Sequence, residues 1–170
     1  MARILMVIAP RDFRDSEYFE PKTILEANHH EVVTGSKVAG EARGIEAGIT
    51  TVTARVQEVD PQNYNAIVFI GGNGMSDLVS DPEFTGLAEK FNKAGKITAS
   101  ICIATAILAN AGILQGKKVT GWSGIKEAIE FSGGVYTGKP VEIDGNIITA
   151  NGPDSAEKFG LALVEALNKA

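Results

Sequence analysis

Cys102 is the only cysteine in the 170-residue chain, and its setting says more than its presence. It lies in Lys96-Ile97-Thr98-Ala99-Ser100-Ile101-Cys102-Ile103-Ala104-Thr105-Ala106, where an apolar run with strand character ends at the cysteine and a helical pattern starts at the next residue. So tight a reversal brings the residues two before and two after the apex close together, and Ser100 and Ala104 are both small. This is the steric pattern of a nucleophile elbow, with other small residues in the places glycines usually take. A thiol at such an apex faces unpaired backbone N–H groups and the positive end of a helix. Both predict a lowered pKa and partial thiolate character near neutral pH. Free cysteines are more often small buried hydrophobes. Its place at the carboxyl end of a strand, where open α/β sheets put their sites, tips Cys102 toward chemistry.

Two further clusters could serve that sulfur. Ile70-Gly71-Gly72-Asn73-Gly74 also follows an apolar run, and glycines there let backbone N–H groups approach a ligand or an oxyanion. It is no nucleotide signature, since the chain has neither G-x-G-x-x-G nor a Walker lysine at that place. Asp15-Ser16-Glu17-Tyr18-Phe19-Glu20-Pro21 opens a helix, and Glu17 in its first turn complements the helix dipole whatever else it does. Its interest is positional. If the strands beginning at Arg3, Ala66 and Ile97 are neighbours, their carboxyl-end loops converge on Cys102. His29 and His30 lie in a polar stretch before the second strand and read as a solvated turn. Two adjacent histidines with no third ligand make a poor metal site, so no metal and no cofactor are expected.

The elements that must hold these residues are legible from periodicity. Arg3–Ile8, Ala66–Ile70 and Ile97–Ile101 are apolar on both alternating faces, as strands covered by helices on each side must be. Glu31–Thr34 is a weaker fourth. Asp81-Pro82-Glu83 opens a helix whose stripe is Phe84, Leu87, Ala88 and Phe91, closed by Gly95. Ile103–Ala111 reads as a short apolar helix ended by Gly112. Asp154-Ser155-Ala156-Glu157 reads as a capping box before Phe159, Leu163, Val164 and Leu167. Asp144-Gly145 between two apolar pairs predicts a hairpin, and residues 40–51 and 139–149 fall outside the strand–helix alternation. That alternation implies an α/β fold with a mostly parallel sheet and helices on both faces, in one domain over residues 1–170.

Composition narrows the function classes. The chain is 44% hydrophobic and 22% charged, an ordinary globular balance. Sixteen basic against twenty-one acidic residues give a net charge of -5, and no basic cluster offers a footprint for nucleic acid or an anionic membrane. A small substrate without strong negative charge is expected. Met1–Ala9 is too short for a signal-peptide core or a membrane span, so a cytoplasmic location is expected.

Glu17 with Pro21 four residues on, Gly71-Gly72 after a strand, and Ala99-Ser100-Ile101-Cys102 together resemble the ThiJ/PfpI family, of the class I glutamine amidotransferase-like superfamily. The similarity continues through Ala109–Thr120, Gly124–Lys126, Asp144–Thr149, Gly152-Pro153 and Leu161–Leu167, nearly the whole chain. It implies a flavodoxin-like three-layer α/β/α sandwich with Cys102 as the elbow nucleophile. Glu17 would be the carboxyl group beside the sulfur, hydrogen-bonded to it and proton-bearing. The N–H groups of Gly72 and Ile103 would form an oxyanion hole, with Gly71, Asn73 and Trp122 in the pocket. The family's proteases carry a histidine directly after the cysteine, where this chain has Ile103. Deglycase-like members have a histidine at the place that Trp122 matches.

The resemblance therefore implies cofactor-independent glyoxalase or deglycase chemistry on a small aldehyde, a 2-oxoaldehyde or its adduct. The alternatives are a redox-responsive, protective or chaperone-like protein and, without the histidine, a PfpI-type cysteine peptidase. An isocyanide hydratase-like hydrolase ranks below them. A homodimer is expected, twofold closure being the commonest assembly, with higher oligomers built from it in some relatives.

Overall fold

The computed structural model describes all 170 residues. Its first half runs β1 (Arg3–Val7), β2 (Arg11–Phe13), α1 (Asp15–Ala27), β3 (Glu31–Ser36), β4 (Gly40–Gly44), β5 (Ile49–Val52), β6 (Ala54–Arg55) and β7 (Ala66–Phe69). The second half adds α2 (Pro82–Lys93), β8 (Ile97–Ile101), α3 (Thr105–Asn110), β9 (Lys118–Val119), α4 (Lys126–Phe131), β10 (Val135–Tyr136), β11 (Val141–Asp144), β12 (Ile147–Ala150) and α5 (Ala156–Lys169).

Seven strands form the central sheet in the order β11-β12-β8-β7-β1-β3-β6. Every pairing in it is parallel except β11 with β12. Successive residues of β1 feed opposite faces, which explains its unbroken apolar run. Ile4 and Met6 pack with Phe159 and Leu163 of α5, whereas Leu5 and Val7 pack with Phe84 and Phe91 of α2. Helices α1 and α5 thus cover one face, and α2, α3 and α4 the other, giving the flavodoxin-like three-layer sandwich. Full burial of each such side chain contributes about 1.5–3 kcal/mol. The chain leaves β1 toward β3 on one side and β7 on the other, so β1, β7 and β8 lie side by side. The switch point between β1 and β7 opens a crevice at their carboxyl ends. No helix is long and apolar enough to cross a membrane.

Several expectations are corrected. The two irregular stretches are both antiparallel hairpins, the second of them the one expected, with its turn moved by one residue. One, β4–β5, joins β2 in a separate three-stranded sheet; the other, β11–β12, closes the edge of the main sheet. In the latter Asp144 pairs with Ile147, so the turn is Gly145-Asn146, and Gly145 takes the positive φ of 61°. The capping box at Asp154–Glu157 does not form. Pro153–Ser155 is a 3-10 turn, no side chain caps α5, and the Ser155 hydroxyl instead bonds Asn151 Oδ1 at 2.6 Å. His30 is not solvated. It is 9% exposed, its Nδ1 accepts the Ala2 N–H at 3.1 Å, and its Nε2 is buried without a partner. Burial of the ring holds its pKa below the usual value, with the chain's amino terminus and His29 adding to the effect.

Candidate active site

The elbow forms where β8 ends. Cys102 has a φ of 60°, the left-handed region that non-glycine residues rarely enter, and Cys102–Ala104 make one 3-10 turn before α3 starts at Thr105. Small flanks are needed because Ser100 and Ala104 are both fully buried beneath the turn. A hydroxyl bond between Ser100 and Thr105, at 2.7 Å, ties the end of the strand to the first residue of the helix. The Cys102 carbonyl accepts the Trp122 N–H at 3.2 Å, which fixes the following loop against the elbow.

Glu17 reaches the same point from α1. Its side chain is fully buried, and Oε2 accepts the Gly71 N–H at 2.9 Å. Gly71 has to be a glycine here. A Cβ on it would lie 2.5 Å from Glu17 Oε2 and 2.8 Å from Cys102 Cβ, so carboxyl and cysteine close on the space a side chain would need. Gly72, at φ 113°, is equally constrained, since a Cβ would meet the Arg14 nitrogen at 2.4 Å. Its N–H has no partner within the chain. The Arg14 N–H donates to the Gly71 carbonyl at 3.0 Å, bolting the start of α1 to the glycine loop.

The protonation of the pair is set by burial. Desolvation raises the Glu17 pKa to about 7, against the counterpull of the thiol, the Gly71 N–H and Arg14. Oε1 is buried with no hydrogen-bond partner, so that the expected carboxyl–sulfur hydrogen bond is not closed on that oxygen, although the thiol is near enough to act on the carboxyl group. The lowered thiol pKa expected from the elbow is reversed. Burial first, and the neighbouring Glu17 carboxylate second, push Cys102 up to about 12, although the Ile103 N–H pulls the other way. The helix end favours the thiolate, but by less than its desolvation and the adjacent negative charge oppose it.

Above the sulfur lies a cavity of about 420 Å³. Of the residues singled out from sequence, Cys102, Gly72, Asn73, Ile103 and Trp122 line it, with Gly71 and Glu17 beneath. Sequence reasoning missed Arg14, Ser76 and Pro153. Arg14 is the extended residue that precedes α1, and no local pattern in the sequence marks it. Both histidine positions lie at the opposite end of the sheet, since His29 and His30 precede β3 while Cys102 follows the parallel strand β8. About 15 Å of strand separates the two ends.

Comparison with known proteins agrees with the architecture. The pattern of the DJ-1/PfpI family matches residues 2–166. Uncharacterized protein MJ0967 of Methanocaldococcus jannaschii is 39% identical over 171 residues, covering 99% of this chain and 83% of that one. The structure of a ThiJ/PfpI domain protein from Brachyspira murdochii superposes with a TM-score of 0.97 at 36% identity, over 99% of this chain and 97% of that one. Schizosaccharomyces pombe DJ-1 shares the fold with a TM-score of 0.84 at 21% identity, over 96% and 90% of the two chains.

Proposed function

The chain belongs to the DJ-1/PfpI family, and from that premise we propose that Cys102 and Glu17 convert small 2-oxoaldehydes to 2-hydroxy acids without a cofactor. The observation that carries the reading is the fully buried Glu17, with one unpartnered oxygen, lodged beside a strained cysteine at the floor of a cavity. A carboxyl group with a pKa of about 7 can accept and return a proton at neutral pH with comparable ease.

The sulfur bonds to the aldehyde carbon while the thiol proton passes to the Glu17 carboxylate, which removes the high thiol pKa as an obstacle because no free thiolate need accumulate. Glu17 then returns that proton to the hemithioacetal oxygen, which the Gly72 and Ile103 N–H groups hold, and is a carboxylate again. Glu17 then carries the hydrogen of the former aldehyde carbon, as a proton, to the neighbouring ketone carbon, while the hydroxyl proton passes to the ketone oxygen, and the result is a 2-hydroxy thioester. Water then cleaves the thioester to release the acid and the thiol. One water is consumed, the aldehyde carbon is oxidised, and the ketone carbon is reduced.

The peptidase alternative lacks support, because neither histidine lies at this end of the sheet and an amide's leaving amine needs a strong acid partner. A thiol held up near 12 also oxidises slowly, which counts against a dedicated redox sensor. The test is conversion of methylglyoxal to lactate by protein purified without metal or glutathione. Cys102→Ser and Glu17→Gln are each expected to lower lactate formation by at least about 10²-fold. Aldehyde loss without lactate, unchanged by Glu17→Gln, would mean reversible trapping by a thiol and no turnover.

A further inference from the structure

The whole chain carries a net charge of -5, yet the lining of the cavity over Cys102 is cationic, with the Glu17 carboxyl beneath it. Arg14 is the one charged side chain that lines it; the others are neutral, and Asn73 and Ser76 add polar groups able to donate hydrogen bonds. Arg14 is firmly placed. Its N–H donates to the Gly71 carbonyl at 3.0 Å and its carbonyl accepts the Tyr18 N–H at 3.2 Å. Its side chain, about one third exposed, has a single ionic partner, Glu46 in the β4–β5 turn, at 3.8 Å. Glu46 is itself 63% exposed, and a long, solvated pair of this kind contributes little, so the guanidinium is available to an anion inside the cavity. Across the cavity the half-exposed Trp122 ring lies over Gly124, where a Cβ would come within 2.4 Å of the indole, and offers an apolar wall.

A guanidinium at one side of a neutral, donor-rich cavity, with the reactive sulfur at its floor, is a two-point recognition site. We propose that the cavity takes a carbonyl compound carrying a carboxylate a few carbons from its electrophilic carbon, with Arg14 holding the carboxylate while Cys102 meets the carbonyl. This rests on the 2-oxoaldehyde reading and narrows it to acidic members of that class, against the weakly charged substrate expected from overall composition. The fork of an arginine suits a carboxylate in particular. With 4,5-dioxopentanoate, for example, addition of one water would oxidise the aldehyde carbon to a carboxylate, reduce the ketone carbon to an alcohol, and yield 2-hydroxyglutarate.

Binding can be tested apart from turnover, because Trp122 is the only tryptophan and lines the cavity. Its fluorescence in Cys102→Ser protein would be titrated with 4-oxopentanoate and with the uncharged methyl ester. The acid is expected to bind at least about tenfold more tightly than the ester, less so at high salt, since a charge-assisted pair is lost in the ester. Arg14→Gln should erase that difference, and Glu46→Gln, which frees the guanidinium, should tighten the acid. Equal binding of acid and ester, or binding of neither, overturns the proposal without recourse to any variant. Turnover is measured in parallel, comparing 4,5-dioxopentanoate with methylglyoxal. Acid-selective binding with neither aldehyde converted supports the carboxylate site and overturns the chemistry assigned to Cys102. Conversion of both with equal kcat/KM overturns the carboxylate site and leaves that chemistry standing.

Discussion

Cys102 holds its left-handed backbone conformation because the end of β8, the 3-10 turn and the Ser100–Thr105 bond over-determine it. An L-residue there is strained by about 1–2 kcal/mol, a cost that glycine escapes. Cys102→Gly is therefore expected to be more stable than Cys102→Ala by about 1 kcal/mol, although both delete the thiol and alanine keeps more packing. Urea melts of the two variants would check this, and an alanine variant at least as stable as the glycine one would mean that the elbow stores no strain. The small residues around the cysteine made the elbow readable from sequence. Its protonation was not readable, because the depth at which the thiol and Glu17 are buried is a property of the packed layers and not of the strand-to-helix turn.

Two loops and a helix start converge on the cysteine, and Gly71 is the point at which they touch. Gly71→Ala would put a methyl group into space bounded by Glu17 Oε2 and Cys102 Cβ. Either group must move, so the variant should lose at least about 10²-fold in lactate formation, as misplacement by an ångström can cost. It should stay folded, and circular dichroism with a thermal melt would show that; full activity in Gly71→Ala would mean that the close contact is unnecessary. The strands beneath these loops were legible because β1, β7 and β8 are buried on both faces and so are uniformly apolar. The two-residue pairs β6, β9 and β10 were not, since so short a run has no periodicity to detect. The α5 start misled for a different reason: Asp154-Ser155-Ala156-Glu157 has the letters of a capping box, but the serine hydroxyl donates back to Asn151, four residues earlier, and does not cap the helix. Arg14 went unnoticed because nothing local marks a surface arginine, and only the docking of α1 against the glycine loop turns it toward the cavity.

Across the whole molecule, the buried carboxyl group of Glu17 couples folding to pH. Its pKa is about 7 in the fold against 4.5 as an ordinary glutamate, so the folded state binds the extra proton between those values. Stability from this group is full below about pH 4.5 and is lost as pH rises through about 7, by about 3 kcal/mol in all. His30 acts in the opposite sense. Its lowered pKa means that the unfolded chain takes up a proton first, so its share of stability is lost as pH falls below the ordinary histidine value of about 6.5. The Glu17 contribution is isolated by difference: Glu17→Gln should gain stability relative to the native chain as pH goes from 5 to 8, and a constant difference would refute the assigned burial cost. The same ionisation governs the proposed reaction. A pair with both groups protonated has no acceptor for the thiol proton, and one proton must leave before the sulfur can attack. The most direct test is accordingly the pH dependence of kcat/KM for lactate formation from methylglyoxal between pH 5 and 9. It is predicted to rise with pH to a plateau above about 7, the Glu17 pKa, with turnover absent in Glu17→Gln. A rate that is flat through that region, or that climbs steadily toward pH 9 and is the same in Glu17→Gln, would contradict the assignment of Glu17 as the proton acceptor for Cys102.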